Sequence, residues 1–202
     1  YFRNLGVGVN LNSAVLLPTL SRMMVFIDGE NLVARFQAML ADGRRPEDGV
    51  QHMPDVYAWV WHAVFPDLHV VQRATYYTYC TGDSTNVASV AAALKSFRFR
   101  NYEPTPVPHP LDLNCQLYPA VFHKKRGRSG KGVDIQMSVD VLTNVFRDNL
   151  DTVYLVTGDG DFEPVIRECQ RQGKLVYVAA LSNGLSPSLP LVADRFFDLD
   201  RN

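Results

Sequence analysis

The chain has 202 residues, of which 47% are hydrophobic and 20% are charged, a composition typical of one globular domain. Its net charge of −1 argues against a protein that coats nucleic acid indiscriminately. No apolar run approaches the roughly 18 residues that a membrane span requires, and Cys80, Cys115 and Cys169 have no ligand-like spacing. We therefore expect a cytoplasmic protein that folds without disulfides or a structural metal, with Cys169 in its core.

The first segment of the chain differs from the rest. Residues 1–22 show no clear period and are too weakly basic at their start for a convincing signal peptide. Met23 and Met24 directly precede a strong strand pattern. We predict that residues 1–22 are an extension, either poorly ordered or added for expression, and that residues 23–202 form one domain.

Short apolar segments that rarely alternate with polar residues predict strands buried on both faces of a sheet. In chain order, these strands are Met24–Asp28, His69–Tyr79, Gln116–His123, Val153–Thr157 and Leu175–Ala179. Apolar residues at helical spacing predict helices around residues 32–40, 54–64, 87–97, 133–145 and 162–169. Strands that alternate with helices are typical of βαβ units. We therefore expect a three-layer α/β/α, Rossmann-like domain with a mostly parallel sheet of about five strands.

Acidic residues occur where the predicted strands end, at the edge of a parallel sheet where ligands bind. Asp28 ends the first strand, Asp159 and Asp161 follow the fourth, and Asp134 lies in the first turn of a helix. Clustered carboxylates raise one another's pKa unless a cation neutralises them. Oxygen-only ligation is typical of Mg²⁺ or Mn²⁺, which activates water and stabilises charge on a phosphate. The pattern therefore predicts metal-assisted phosphodiester hydrolysis.

Three of these acids also have a purely structural interpretation. Asp161 could cap the helix that follows it, and Asp28, before a glycine, could be a turn residue. Asp134 could stabilise its helix N-terminus through the helix dipole. None of these patterns is specific alone, but together they favour a shared site.

The other polar candidates differ in how they are read. Asp159 lies between two glycines, where it has little structural role except to accept hydrogen bonds in a tight loop, which favours a role in the site. Asn31 could cap the first helix or orient a metal-bound water, and the sequence does not choose between them. Asp140 lies about 120° around the helix from Asp134, so we expect it to support the site or the fold without binding the metal.

Three motifs in a fixed order resemble a known family. They are FIDGENL at Phe26–Leu32, KGVDIQMSVD at Lys131–Asp140 and LVTGDGDFEPVI at Leu155–Ile166. The chain is similar in these motifs to NYN domains, in particular the LabA-like (DUF88) branch of the PIN-like nuclease superfamily. GKLVYVAA at Gly173–Ala180 and ADRFFDL at Ala193–Leu199 extend the resemblance.

The resemblance implies a sheet flanked by helices and a ribonuclease site that depends on Mg²⁺ or Mn²⁺. Asp28, Asp134, Asp159 and Asp161 match the acidic positions of that site, and Asn31 matches its polar companion. Four prolines in Glu103–Asn114 are less typical of the family, and they exclude a central strand or helix there.

A dense basic run precedes the Asp134 helix. It consists of Lys124, Lys125, Arg126, Arg128 and Lys131. Its position favours contact with RNA phosphates that flank the scissile one, and a solubilising loop is the alternative. Tyr76, Tyr77 and Tyr79 alternate in the second strand, so most of them belong in the core, while one near the sheet edge could stack on a base.

The leading hypothesis is an endoribonuclease that cuts single-stranded or structured RNA and leaves a 5′-phosphate and a 3′-hydroxyl. The alternative is a non-catalytic module that binds RNA or a regulatory partner, and exposed apolar surface could pair two copies. A haloacid dehalogenase phosphatase is disfavoured because no second aspartate lies two residues after Asp28. A dinucleotide-binding domain is disfavoured because no glycine-rich loop follows the first strand.

Overall fold

The computed structural model of the chain describes residues 21–65, 69–100, 114–123 and 132–200. Its strands are β1 (Ser21–Asp28), β2 (Gln51–Met53), β3 (Tyr57–Trp59), β4 (His69–Cys80), β5 (Arg98–Arg100), β6 (Asn114–Gln116), β7 (Tyr118–His123), β8 (Thr152–Val156), β9 (Leu175–Ala180) and β10 (Arg195–Asp198). Its α-helices are α1 (Gly29–Ala41), α2 (Ser84–Ser96), α3 (Gly132–Phe146), α4 (Glu163–Arg171) and α5 (Leu189–Val192). Single 3₁₀ turns cover Trp61–Ala63 and Gly160–Phe162.

The central sheet has six strands in the order β10-β9-β8-β1-β4-β7, and all neighbouring pairs are parallel. From β1 the chain moves outward in one direction to β4 and β7, and then returns to build β8, β9 and β10 on the other side. The strand order therefore reverses between β1 and β8. This topology confirms the predicted α/β fold with a parallel sheet flanked by helices.

Helices cover both faces of the sheet, which explains why the strands are apolar on both sides. On one face, α1 and α2 pack with the β2–β3 hairpin against the sheet. On the other face, α3 packs through Val133, Met137, Val141 and Val145, and α4 contributes a buried Cys169, as predicted. No helix in the described ranges is long and apolar enough to cross a membrane.

The helix predicted around residues 54–64 is wrong. That segment instead forms the antiparallel β2–β3 hairpin, followed by a 3₁₀ turn. The valine spacing fits a helix, but Tyr57, Ala58 and Trp59 are buried one after another, which a helix with one apolar face cannot achieve. The phenol of Tyr76 also bonds both backbone groups of Ala58, accepting from its N–H at 3.1 Å and donating to its carbonyl at 3.0 Å.

Other differences concern boundaries. Strand β1 begins at Ser21, three residues before the predicted start, and the third predicted strand is divided between β6 and β7 at the buried Leu117. The sixth strand, β10, lies in the closing ADRFFDL motif and pairs with β9. Tyr76 and Tyr77 lie in the core, as expected.

Candidate active site

The point where the strand order reverses lies between the carboxyl ends of β1 and β8. In doubly wound sheets, this reversal opens a crevice in which ligands bind. Asp28 is the last residue of β1, and Thr157 to Asp161 directly follow β8. Two of the predicted acidic segments therefore lie side by side at the topological switch point.

Asp28 is buried, with only 2% of its surface exposed. Its Oδ1 accepts a hydrogen bond of 2.9 Å from the N–H of Asn31, so Asp28 caps α1 in place of the turn role considered from the sequence. Its Oδ2 accepts a hydrogen bond of 2.9 Å from the hydroxyl of Thr157. A carboxylate offers about four acceptor positions, so both oxygens keep the capacity to bind a cation.

The ionisation of Asp28 depends on its neighbours. Burial raises the pKa of Asp28 from its usual 3.8 to about 6, although the hydrogen bonds from Asn31 and Thr157 lower it. The negative charges of Asp134 and Asp159 raise the pKa further. Asp28 is therefore electrostatically coupled to two other predicted site residues, which come from different segments of the chain.

Gly29 allows α1 to begin directly at the end of β1. A Cβ atom at this position would lie 2.2 Å from a ring carbon of Tyr76 and 2.5 Å from the backbone oxygen of Tyr77. Only glycine leaves room for the helix to start against β4. This close approach fixes the position of the Asp28 carboxylate relative to the sheet.

Thr157 connects Asp28 to the loop that carries Asp159. Its hydroxyl donates to Asp28 and also accepts a hydrogen bond of 3.2 Å from the N–H of Asp159. The Asp159 Oδ1 in turn accepts a hydrogen bond of 2.9 Å from the N–H of Asp161 and caps the 3₁₀ turn Gly160–Phe162. The capping role that the sequence suggested for Asp161 thus belongs to Asp159, and the side chain of Asp161 is exposed.

Asn31 joins the first helix to the same loop. Its side-chain oxygen accepts a hydrogen bond of 3.0 Å from the N–H of Gly158. Since Asp28 caps α1, the capping role considered for Asn31 is wrong. Asn31 instead fixes the distance between α1 and the loop that follows β8.

Asp134 enters the site from the opposite face of the sheet. The phenol oxygen of Tyr79 accepts hydrogen bonds from the N–H groups of Gly132 at 2.7 Å and Val133 at 2.9 Å, so it caps the start of α3. Burial raises the pKa of Asp134, and the charges of Asp159, Glu30 and Asp161 raise it as well. The first turn of α3 therefore faces the loop after β8.

The donor set fits a hard divalent cation, although it is an open arrangement. In the described ranges, no three His, Cys, Asp or Glu side chains lie close enough together to hold an ion between them. Mg²⁺ is usually bound through one or two carboxylates and several waters. An open arrangement of oxygen donors, in which the pKa values of Asp28 and Asp134 are raised, matches that mode of binding better than a closed cage.

Asp140 faces a different part of the fold. It accepts hydrogen bonds of 2.8 Å from the phenol of Tyr77 and from the side-chain amide of Gln136. It thus attaches the middle of α3 to β4. The basic run of residues 124–131 and most of the proline-containing segment lie outside the described residues, as do residues 1–20.

Sequence reasoning assigned no role to Thr157 or Glu30, and it considered Tyr79 only as a core residue or a residue that stacks on a base. The roles of Thr157 and Tyr79 depend on contacts with residues 129 and 54 positions away in the chain. No local pattern encodes such contacts. Glu30, in contrast, lies within the FIDGENL motif, and its position two residues after Asp28 was an available signal.

Comparison with known proteins identifies relatives of the chain. The profile of the NYN domain matches residues 22–200. The uncharacterized protein MJ0482 of Methanocaldococcus jannaschii is 40% identical over 79 residues, which are 36% of this chain and 33% of that protein. The match thus spans about one third of the length of that relative.

A solved structure shares the fold. The crystal structure of a protein of unknown function, VPA0982 from Vibrio parahaemolyticus, superposes with a TM-score of 0.57 at 17% identity. The superposition covers 89% of this chain and 93% of the Vibrio chain. At this level of identity, the similarity concerns the fold alone.

Proposed function

The chain belongs to the NYN domain family, a family of PIN-like nucleases, and we propose that it is a divalent-metal-dependent endoribonuclease. The observation that carries the proposal is the convergence of negative charge at the topological switch point of the sheet, where the charges of Asp134 and Asp159 raise the pKa of Asp28 and the charge of Asp159 raises the pKa of Asp134. Natural proteins retain clustered carboxylates that raise one another's pKa where a cation or a proton transfer uses them.

We assign metal binding to Asp28, Asp134, Asp159 and Asp161, with Mg²⁺ or Mn²⁺ as the ion. An ion of this kind supplies an activated water and offsets the charge that develops on a phosphate. Buried Asp28 is oriented by the Asn31 N–H and the Thr157 hydroxyl, so its carboxylate does not need to reorganise. This fixed geometry supports a catalytic role, because preorganised groups cost no reorganisation during the reaction.

Basic residues of the chain would position the substrate. The basic run formed by Lys124, Lys125, Arg126, Arg128 and Lys131 directly precedes α3 in the sequence. Since Asp134 lies in the first turn of α3, these cations are adjacent in sequence to one proposed ligand. We propose that they bind phosphates of single-stranded or structured RNA beside the scissile one.

A non-catalytic RNA-binding module is the second candidate. It is favoured by one observation, the lack of three closely grouped metal-ligating side chains in the described part of the chain. A module of this kind would bind RNA with a strong dependence on salt, but it would not cleave RNA in any divalent ion.

Cleavage of an end-labelled single-stranded RNA separates the two candidates. We expect internal cleavage in Mg²⁺ or Mn²⁺ that leaves 5′-phosphate ends, no cleavage in EDTA, and loss of cleavage in Asp159→Asn. Asp48→Asn is the matched control, because Asp48 is an exposed acid in the loop between α1 and β2. Full RNA binding without cleavage by the wild-type protein in either ion would reject the nuclease proposal in favour of the binding module.

A further inference from the structure

Arg35 is a cation on α1, one helical turn from Asn31 of the candidate site. It lies four residues after Asn31 on α1, so the two side chains are neighbours on one side of the helix, with Cβ atoms about 5–6 Å apart. The Nε of Arg35 is buried without a hydrogen-bond partner. Among the described residues, Arg35 also has no ion-pair partner.

The guanidinium is held by packing against the backbone of Gly184. A Cβ atom at Gly184 would lie 2.3 Å from both Cζ and Nη1 of Arg35, and the φ of Gly184 is +71°. The positive φ favours glycine at this position, and a side chain there would also force the guanidinium to move. The loop between β9 and α5 therefore packs closely against Arg35.

The same loop contacts the segment that carries Asp159. The N–H of Ser186 donates a hydrogen bond of 2.9 Å to the carbonyl of Gly158. A Cβ atom at Gly158 would meet Asn31 at 3.4 Å and Leu185 at 3.5 Å. Arg35 is thus held in a seam between α1 and the β9–α5 loop, and the same loop contacts Gly158, the residue that precedes Asp159.

A buried donor without an acceptor is unfavourable. Arg35 is partly exposed as a residue, so a ligand at the mouth of the seam can reach its side chain and supply an acceptor. The planar fork of an arginine matches a phosphate better than it matches a neutral ligand. On the basis of the proposed function, we infer that Arg35 binds a backbone phosphate of the RNA strand next to the scissile one. The RNA then contacts Arg35 on the α1 side of the sheet as well as the basic run that precedes α3 in the sequence.

The test is a salt titration of the binding of labelled single-stranded RNA, followed by fluorescence anisotropy in EDTA so that no cleavage occurs. Arg35→Gln is expected to weaken binding about tenfold at low salt and to reduce the log–log salt slope by about 0.7, the value for one lost phosphate contact. Arg35→Lys keeps the charge, and we expect it to retain the slope. Arg147→Gln is the matched control, because Arg147 is an exposed cation directly after α3, at the end of the helix opposite Asp134.

A second variant tests the seam itself. Gly184→Ala places a methyl group where the guanidinium lies, so it should reduce the salt slope as Arg35→Gln does, and the double variant should show no further loss. Thermal denaturation checks that each variant folds. A wild-type salt slope in Arg35→Gln would overturn the inference. So would equal losses of RNA affinity in Arg35→Gln and Arg35→Lys that come with equally lowered melting temperatures, because these would show a purely structural role.

Different results would overturn the role of Arg35 and the proposed nuclease activity. Cleavage of RNA in Mn²⁺ by a protein whose binding does not depend on Arg35 overturns only the inference. Binding of RNA that depends on Arg35, without cleavage in any divalent ion, supports the inference and overturns the nuclease proposal.

Discussion

The hydroxyl of Thr157, the residue directly after β8, donates a hydrogen bond of 2.9 Å to Oδ2 of Asp28, the last residue of the neighbouring strand β1. The same hydroxyl accepts from the N–H of Asp159. One buried threonine thus connects two of the proposed metal ligands and lowers the pKa of Asp28 against the effect of burial.

Replacing Thr157 by valine should raise the pKa of Asp28 above its value of about 6, because the ionised carboxylate loses a donor. Metal ligands must be deprotonated, so the acidic limb of the pH–activity profile should move to higher pH. Thr157→Ser keeps the hydroxyl and should keep the wild-type midpoint. The measurement is kcat/KM against pH at a fixed Mn²⁺ concentration, and equal midpoints for the valine and serine variants would contradict the role of the hydrogen bond.

Asp28→Asn should abolish cleavage and stabilise the metal-free fold at neutral pH. A carboxyl whose pKa rises from 3.8 to about 6 on folding destabilises the folded state by up to about 3 kcal/mol once the pH exceeds the folded value. The asparagine avoids this penalty and can still accept the capping hydrogen bond from Asn31.

The gain should depend on pH in a defined direction. The stabilisation of Asp28→Asn should be largest above pH 6 and should shrink as the pH falls towards 4, where the carboxyl is protonated in the folded protein. Urea unfolding in EDTA at pH 7.5 and pH 4 measures both values, with Asp48→Asn as the control. A variant that is less stable than the wild type at pH 7.5 would identify Asp28 as mainly a structural cap.

Tyr79→Phe should weaken metal binding through Asp134. The variant leaves the N–H groups of Gly132 and Val133 without their acceptor and should lower the free energy of unfolding by about 1–2 kcal/mol. The first turn of α3, which positions Asp134, should fray. The measurement is Mn²⁺ affinity by calorimetry, with Tyr118→Phe on the edge strand β7 as the control, and an unchanged affinity in a destabilised Tyr79→Phe protein would limit Tyr79 to a structural role.

Replacing Lys124, Lys125, Arg126 and Arg128 together by alanine should weaken RNA binding and flatten its salt dependence. Each lost contact to single-stranded RNA should reduce the log–log slope by about 0.7, while turnover at saturating RNA should change much less. Asp134→Asn should show the reverse pattern, with binding retained and cleavage lost. If the fourfold variant keeps the wild-type slope, this run is a solubilising loop.

The sequence contained enough information to place Asp28 and Asp159 at the same edge of the sheet. Strand-like segments that end in Asp28 or precede Asp159 imply a parallel sheet, and the carboxyl ends of parallel strands share one edge. The sequence did not reveal how these two carboxylates are held. The hydroxyls of Thr157 and Tyr79 act on partners far away in the chain, and neither residue type signals such a role.

The same limit explains the segment that was predicted incorrectly. Valines spaced four apart between β2 and α2 fit a helix, and the contact that favours the hairpin is the bond from Tyr76 to Ala58, 18 positions away. The seam around Arg35 is also non-local, because it depends on a glycine near the other end of the chain. Periodicity reports which faces are buried, but it does not report which distant side chain completes a backbone hydrogen bond.

Anomalous diffraction from crystals grown with Mn²⁺ would locate the metal ion. We predict a manganese peak at the carboxyl edge between β1 and β8, with at least two of Asp28, Asp134 and Asp159 at about 2.1 Å from the ion. The peak should be lost in Asp28→Asn crystals. A protein that cleaves RNA in Mn²⁺ while its crystals show no manganese at this edge, or show the ion bound elsewhere, would contradict the assignment of these carboxylates as the metal centre.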